Sequence, residues 1–338
     1  MSIAICTSAQ RTLACPTRVT GRGLFFGKET TVNLKPGPPD SGFVFVRVDV
    51  DPPVEIAALA EHVAHRPRWT TLAAPGAPSV VVESVEHCLA GLAGSGVNNA
   101  RIEIDSAELP AGDGSASQYA HAIQEVGLRD QSTATKPIAV HEPIVITDGD
   151  ASIAALPTVG PLELRFELAY DAPAILKRQM FVFHPGEDDF VRELAPARTF
   201  ALAHEARALV EQGLCVHLSP GDALVIGDDG PIKNHFRFPN EPARHKTLDL
   251  LGDLTLAGRP IIARIVASRS GHALNQRLAK ALRGLAPPDN QVSDPTLRVG
   301  RSADYARPPA SLPYGAGGQD SGVQGESQGG LDQEPHDQ

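Results

Sequence analysis

One imidazole and two carboxylates lie at helical spacing between residues 245 and 253. His245 and Asp249 are four residues apart, and Asp253 follows after four more. On an α-helix, residues four apart lie on one face, so these side chains would point the same way. Zinc hydrolases bind their metal through three protein ligands of this type and leave one position open. The pair of His245 and Asp249 is therefore half of a candidate metal site, although a solvated or salt-bridged helix face has the same spacing.

A third candidate ligand, His87, lies in the other half of the chain, directly after Glu86. Glu86 could accept a proton from water as a general base, or it could be a first-turn glutamate favoured by the helix dipole. A site built from His87, His245 and Asp249 would require the two halves of the chain to meet. Folding would then have to place the metal between them.

His272 lies between Gly271 and Ala273 in a segment of small residues that a substrate could approach closely. As an imidazolium it could stabilise an oxyanion and protonate a departing amine, or it could be an ordinary hydrogen-bonded loop histidine. Asp253 could orient the His272 ring, or be a charge on a helix surface. Thr199 could donate its hydroxyl to the same oxyanion, or cap a helix.

Composition limits the class of protein. The chain has 338 residues, of which 42% are hydrophobic, so two domains with well-filled cores are expected. The formal net charge of -10 argues against non-specific binding of nucleic acid, and no nucleic-acid partner is expected. A small anionic substrate remains compatible with a local basic pocket.

The compartment follows from cysteine usage and from the absence of long apolar runs. Cys6, Cys15, Cys88 and Cys215 show no CxxC pairing, which favours reduced thiols in a cytoplasmic protein. The first residues do not resemble a signal peptide, and no run approaches about 18 uninterrupted apolar residues, the minimum for a membrane helix. Any membrane contact would be peripheral.

The pattern of apolar residues and turn residues predicts strands and helices in both halves of the chain. We predict helices over 84–94, 201–212 and 245–257, a further helix after the turn 113–116, and strands over 99–104, 138–145, 162–168 and 261–266. The predicted division is a first α+β domain over 1–130, a linker over 131–135, a second α+β domain over 136–300 and a disordered tail over 301–338.

Several ordered motifs along the chain resemble those of one enzyme family, the UDP-3-O-acyl-N-acetylglucosamine deacetylases, which are zinc amidases of lipid A biosynthesis in Gram-negative bacteria. The resemblance covers about residues 11–285. Its carriers are Gly21-x-Gly23-Leu24-x-x-Gly27, Ser84-Val85-Glu86-His87, Asp113-Gly114-Ser115-Ala116, Ala197-Arg198-Thr199-Phe200, His245-Lys246-x-Leu248-Asp249-x-x-Gly252-Asp253-Leu254 and Ser270-Gly271-His272-Ala273-Leu274-Asn275.

The resemblance implies a fold, a reaction and a set of roles. The fold would be two similar layered α+β domains with helices between the sheets and the zinc site at the domain junction. The reaction would be zinc-dependent hydrolysis of the N-acetyl group of a UDP-linked, 3-O-acylated N-acetylglucosamine, by a protein expected to be a monomer. The implied roles are zinc binding by His87, His245 and Asp249, general base Glu86, acid His272 with Asp253, oxyanion contact by Thr199, and substrate contact by Lys246 and Phe200.

The resemblance also implies an inserted element in each domain, one of which forms an apolar passage for the acyl chain. We place the second insert at 172–194, with Ile175, Leu176, Met180, Phe181 and Phe183 as its lining. Two departures from the family pattern concern the substrate: Phe25 replaces a histidine, and Arg269 replaces a lysine and could bind phosphate as a fork. These departures leave open a different acylated amino sugar as substrate, and a non-catalytic zinc-binding protein is the other alternative.

Overall fold

The structure is a computed structural model that describes residues 8–64, 66, 68–171 and 173–286. The predicted tail over 301–338, and the last part of the predicted second domain, lie outside the described residues. The described residues form twenty strands and six α-helices: β1 (Ala9–Leu13), β2 (Thr17–Arg22), β3 (Glu29–Pro36), β4 (Phe43–Arg47), β5 (Val54–Ala57), β6 (Val63–Ala64), β7 (Thr71–Ala74), β8 (Ala77–Glu83), α1 (Glu86–Gly94), β9 (Ala100–Ile104), α2 (Ser117–Val126), β10 (Leu128–Ala134), β11 (Ile138–Ala139), β12 (Ile144–Asp148), β13 (Ala151–Leu156), β14 (Glu163–Leu168), β15 (Gln179–Phe183), α3 (Phe190–Glu193), β16 (Phe200–Leu202), α4 (Ala203–Glu211), β17 (Leu224–Gly227), β18 (Gly230–Pro231), α5 (Glu241–Leu254), β19 (Ile261–Ile262), β20 (Arg264–Ser268) and α6 (His272–Arg283).

Two five-stranded sheets share one topology. Their strand orders are β2-β3-β9-β4-β5 and β12-β13-β20-β14-β15. In the first sheet, β9 comes after α1 and lies between β3 and β4, antiparallel to β3 and parallel to β4. In the second sheet, β20 comes after α5 and lies in the same way between β13 and β14. The two halves of the chain therefore repeat one arrangement of strands and helices.

Alternation of apolar and polar residues explains why one face of each sheet is buried. Val32 and Leu34 on β3, and Leu164 and Phe166 on β14, are buried, while the residues between them are partly or fully exposed. This period of two is the expected pattern of a strand that covers a core on one side only. The buried face of each sheet packs against helices in its own apolar cluster.

Helices α1 and α5 contact each other closely and carry most of the candidate site residues. Leu89 of α1 belongs to the apolar cluster of the first sheet, and its neighbour Ala90 to that of the second. Gly252 of α5 lies against the backbone of Glu86, where an added Cβ would be 2.1 Å from the Glu86 carbonyl oxygen. The absence of a side chain at Gly252 is therefore what allows the start of α1 to approach α5.

Each half also contains a short three-stranded sheet. Along the chain, its strands come after β5 and before α1 in the first half, and after β15 and before α5 in the second. We call these the first inserted sheet (β6-β7-β8) and the second inserted sheet (β16-β17-β18). The first is antiparallel throughout, whereas β16 and β17 are parallel and α4 connects them. The second inserted sheet thus supplies a helix that the first lacks.

The structure changes two of the segment assignments made from sequence. Residues 131–134, expected in the linker, lie in β10, where Ala134 pairs with Ala9 of β1. The predicted position of the second insert, 172–194, was wrong because β15 is an integral edge strand of the second five-stranded sheet. Leu176, Phe181 and Phe183 are core residues there, since a strand with one buried face must fill it with large apolar side chains.

The predicted helices are present with shifted ends. Helix α5 begins four residues before His245 and ends at Leu254, where a 3-10 turn continues to Ala257. The helix predicted over 201–212 is α4, and its first residues are extended in β16. None of the helices in the described part of the chain combines the length and the apolar character needed to cross a membrane.

Candidate metal centre

The first turn of α1 delivers Glu86 and His87 to the contact with α5. Ser84 has a positive φ of 60°, and the chain turns sharply there between β8 and the helix. The Ser84 hydroxyl does not cap the helix, and the Val85 amide donates to the Thr70 carbonyl. This turn places the two functional residues at the start of α1, beside Gly252.

His87, His245 and Asp249 come together as the sequence predicted they would. One potential ligand atom from each lies within 4.8 Å of the others. The Asp249 Oδ1 atom is 3.4 Å from the His87 Nε2 atom and 3.3 Å from the His245 Nε2 atom. The arrangement joins one ligand from α1 to two from α5, as the helical spacing of His245 and Asp249 requires.

The donor set fits a bound divalent metal. The Asp249 Oδ1 atom is buried and accepts no hydrogen bond, which is costly for a carboxylate oxygen unless a cation satisfies it. The His245 Nδ1 atom is 3.1 Å from the Ala197 carbonyl oxygen, so Nδ1 carries the proton and the Nε2 lone pair faces Asp249. Two imidazoles and one carboxylate match the ligands of catalytic zinc sites.

A buried ion pair holds the carbonyl that orients His245. Arg198 donates from Nε and Nη2 to the two carboxylate oxygens of Glu241, at 2.8 and 3.1 Å. Glu241 is the first residue of α5, so the pair fixes the 197–200 segment against the start of that helix. The Ala197 carbonyl is thereby positioned beside His245.

The second oxygen of Asp249 accepts a hydrogen bond from Lys246. The Lys246 Nζ atom donates to Asp249 Oδ2 at 2.9 Å, and the lysine side chain remains 24% exposed. Burial alone would raise the pKa of Asp249, but neighbouring groups that include the Lys246 ammonium outweigh it and hold the pKa well below its usual value. Burial lowers the pKa of His245 to about 3, so this imidazole is neutral, as a metal ligand must be.

His272 is held in a network of buried polar groups. Its Nδ1 atom is 2.9 Å from Asp253 Oδ2, which also accepts from Asn275 Nδ2 at 2.9 Å. The Ser270 hydroxyl donates to Asn275 Oδ1 at 2.8 Å. Burial lowers the pKa of His272, but the Asp253 carboxylate outweighs this effect and raises the pKa to about 9.

Glu86 faces His272 across the candidate metal site. The His272 Nε2 atom is 3.8 Å from Glu86 Oε1 and also 3.8 Å from Asp249 Oδ2. Burial raises the pKa of Glu86, and the opposing effects of His272 and His87 do not cancel it. A carboxylate of raised basicity and an imidazolium therefore lie 3.8 Å apart beside the metal-binding group, a pairing suited to general base and general acid chemistry.

A large cavity opens over these groups. Its volume is about 1040 Å³, and it is lined by all three candidate metal ligands, Glu86 and His272. Thr199, Phe200 and Arg269 also line it. The Thr199 amide donates to the Gly114 carbonyl at 2.7 Å, which ties the 113–116 turn to this wall.

The second inserted sheet and α4 supply an apolar side of the same cavity. Ile175, Leu176, Met180, Phe181 and Phe183, expected as its lining, are not among the residues that form it. The apolar lining from residues 200–232 includes Phe200, Ala201, Ala203, Ala206, Leu209, Val210, Leu218, Pro220, Ala223, Leu224, Val225 and Ile232. Phe25 also lines the cavity, where its ring stacks on Trp69 with centroids 4.0 Å apart.

Sequence reasoning assigned no role to several residues that this site uses. Thr70 lies completely buried and hydrogen-bonds to Asp253, while the main chain of Ala197 and the side chain of Asn275 complete the surroundings of the two histidines. A threonine or a carbonyl group carries no distinctive spacing, so no local pattern could have identified them.

Comparison with known proteins identifies a family and several similar proteins. The family described as LpxC, UDP-3-O-acyl N-acetylglycosamine deacetylase, matches residues 10–284. A UDP-3-O-acyl-N-acetylglucosamine deacetylase of Myxococcus xanthus (strain DK1622) is 39% identical over 80% of this chain and 85% of its own. Proteins with the same name from Anaeromyxobacter sp. (strain Fw109-5) and Chlamydia abortus (strain DSM 27085 / S26/3) are 39% and 38% identical, over 91% and 81% of this chain and 97% and 96% of their own.

Proposed function

The chain belongs to the UDP-3-O-acyl-N-acetylglucosamine deacetylase family, and from this premise we propose how its cavity carries out the family reaction. The protein is a hydrolytic deacetylase that removes the N-acetyl group of a UDP-3-O-acyl-N-acetylglucosamine in lipid A biosynthesis. The observation that carries the proposed mechanism is the convergence of His87, His245 and Asp249 between Glu86 and His272.

The proposed metal is zinc, which His87, His245 and Asp249 would hold. The unpartnered Asp249 oxygen and the two imidazole Nε2 atoms that face it support this assignment. Zinc in such a site supplies Lewis acidity, which polarises a carbonyl group and makes water a better nucleophile near neutral pH.

Protein side chains carry the proton transfers. Glu86 accepts a proton from the attacking water, and its raised basicity favours this transfer. His272, protonated and held by Asp253, donates a proton from Nε2 to the glucosamine nitrogen as the carbon–nitrogen bond breaks. The Thr199 hydroxyl donates a hydrogen bond to the carbonyl oxygen as negative charge develops there.

Substrate binding divides between polar and apolar parts of the cavity. Lys246 and Arg269, both in the lining, contact the anionic part of the substrate, and Phe200 packs against the sugar. The apolar wall formed by α4 and the second inserted sheet receives the acyl chain, because an apolar chain gains free energy when it leaves water for such a wall.

The repeated topology supports a division into two similar α+β domains that meet at the metal site. Because β10 ends at Ala134, the connection between the domains begins after this strand, later than the sequence indicated. The protein acts in the cytoplasm, an assignment supported by its sugar nucleotide substrate and by Cys15, Cys88 and Cys215, which form no disulfide within the described residues.

A different acylated amino sugar is the second candidate substrate, because Phe25 is stacked on Trp69 where the family pattern has a histidine. Parallel measurements of acetate release from a UDP-linked and an unlinked acylated sugar separate the two. Preference for the unlinked sugar would favour this second candidate.

Metal removal and the change Glu86→Gln test the proposed mechanism together. Chelation should abolish acetate release and added zinc should restore it. Glu86→Gln should lower kcat by about 10²- to 10⁴-fold with unchanged metal content, because the amide cannot accept the proton.

The matched control is Glu83→Gln, which alters a buried carboxylate on the preceding strand outside the cavity lining. This variant should retain near-normal kcat. Full activity after complete metal removal, or loss of bound metal in Glu86→Gln, would contradict the assigned roles.

A further inference from the structure

Thr70, the residue before β7, hydrogen-bonds to Glu86 and to Asp253, the partner of His272. Its side chain is fully buried, and its hydroxyl donates to Asp253 Oδ1 at 2.6 Å. Its amide donates to Glu86 Oε2 at 3.1 Å, and its carbonyl accepts from the Val85 amide. One residue of the first inserted sheet region therefore touches the general base and the partner of the general acid.

The hydrogen bond from Gln276 shows which partner receives the Thr70 hydroxyl proton. Gln276 Nε2 donates to the Thr70 Oγ1 atom at 2.9 Å, so this oxygen acts as an acceptor there. A hydroxyl has one proton, and the short contact to Asp253 takes it. His272 Nδ1 is also within 3.3 Å of Thr70 Oγ1, but no second hydroxyl proton is available for it.

This direction of the Thr70 hydrogen bond favours a proton on the Nδ1 atom of His272. Asp253 accepts from Thr70 on Oδ1 and from Asn275 on Oδ2, and it accepts the His272 Nδ1 proton on Oδ2 as well. Hydrogen bonds to both oxygens favour the ionised carboxylate, which in turn favours a proton on Nδ1 of the ring. The other ring nitrogen, Nε2, is left facing Glu86 and the metal ligands.

We propose that Thr70 is a positioning residue for the deacetylation. Its hydroxyl, oriented by Gln276, holds the Asp253–His272 pair in place, and its amide orients the carboxylate of Glu86. The inference rests on the proposed function, because it assigns Thr70 to the same two proton transfers. A purely structural role would instead require only that the buried hydroxyl have a partner.

The test compares two adjacent buried threonines. Thr70→Val removes the hydroxyl and keeps the amide, whereas Thr70→Ser keeps both. Thr71→Val is the matched control, because Thr71 is also fully buried and its hydroxyl has no hydrogen-bond partner. We expect Thr70→Val to lower kcat by about 10- to 100-fold, the effect of one hydrogen bond to a charged group, with KM and metal content nearly unchanged.

Thr70→Ser should recover kcat to within a few-fold of the original enzyme, and Thr71→Val should match that enzyme. Equal kcat in Thr70→Val and Thr71→Val would overturn the proposal, as would failure of serine to restore the rate. If Thr70→Val does not fold, Gln276→Leu decides, since loss of the amide that orients the hydroxyl should lower kcat more than it raises KM. An unchanged kcat in Gln276→Leu would also overturn it.

Failure of the proposed function would look different from failure of this inference. In that case the unaltered protein, loaded with zinc, would release no acetate. An active, zinc-dependent enzyme with a normal Thr70→Val variant would refute the role of Thr70 alone.

Discussion

The two inserted sheets occupy equivalent places in the repeated topology, yet they line the cavity with different chemistry. The region of the first contributes Arg66, Arg68 and Ser84 to the lining and Thr70 to the buried network behind it. The second, with α4, contributes a mostly apolar wall that includes Leu209, Val210 and Leu224. Under the proposed function, the same position in the fold serves proton transfer in one half and acyl-chain binding in the other.

The difference reflects what each insert packs against. Thr70 meets the starts of α1 and α6, where backbone amides and catalytic side chains gather, so a polar residue finds partners there. Helix α4 lines the cavity with Ala203, Ala206, Leu209 and Val210 as well as with Glu205, Arg207 and Glu211. Its apolar side chains gain free energy when an apolar ligand covers them. Variants that change only kcat or only KM test whether the two inserted sheets have these different roles.

The largest expected effect is at Asp253, where the polar network converges. Asp253→Ala should lower kcat by about 10²- to 10⁴-fold, because His272, Asn275 and Thr70 all lose their acceptor. In the unaltered enzyme, Asp253 raises the pKa of His272 to about 9, so activity that needs the imidazolium should persist below that pH and fall above it. Without the carboxylate, burial dominates and lowers the pKa of His272, so the basic limb of a kcat–pH profile should move to lower pH.

An unchanged basic limb in an Asp253→Ala enzyme that retains its metal would show that His272 is not the acid. The proposed role of the first inserted sheet in proton transfer would then be unsupported.

A smaller effect is expected where α1 and α5 meet. Gly252→Ala places a Cβ against the Glu86 backbone, so the two helices must separate. Such overpacking typically costs about 1–3 kcal/mol of unfolding free energy. Thermal unfolding should shift to lower temperature, and zinc titration should show weaker binding because His87 moves away from His245 and Asp249.

Gly271→Ala is the matched control for this change, because nothing lies within 4 Å of a Cβ added at Gly271. Its unfolding and zinc affinity should remain close to those of the unaltered protein. Normal zinc affinity in Gly252→Ala would show that the close helix contact does not position the ligands.

The smallest effect is expected on the apolar wall. Val210→Asp puts a charge into the lining contributed by α4 and should raise KM for a long-chain substrate by about tenfold, the loss expected for one apolar contact of this size. The kcat value should change little, since the hydrogen bonds around Asp253 and His272 do not involve Val210. Steady-state kinetics with long-chain and short-chain substrates measure this split.

Val216→Asp is the control, because Val216 is an exposed valine close in sequence that does not line the cavity. A KM increase that is equal for both chain lengths, or that also occurs in Val216→Asp, would argue against acyl-chain binding by this wall.

Sequence reasoning was most successful where one element carries the pattern. The i, i+4 spacing placed His245, Asp249 and Asp253 on one buried face of α5, and apolar periodicity indicated the strands and helices, while the α+β class came from the family resemblance. It failed at residues 172–194, because apolar residues suited to a passage are equally suited to a core-covering edge strand. Local composition does not distinguish these two environments.

The sequence by itself determined which groups are available: two imidazoles and a carboxylate for a metal, a glutamate beside one of them, and a further histidine followed by an asparagine. Only the tertiary structure decided that Thr70, a residue without distinctive spacing, joins Glu86 to the Asp253–His272 pair, and that α4 rather than β15 lines the cavity. The physical reason is that hydrogen bonds and cavity walls depend on distances between segments far apart in the chain, and those distances are set by packing.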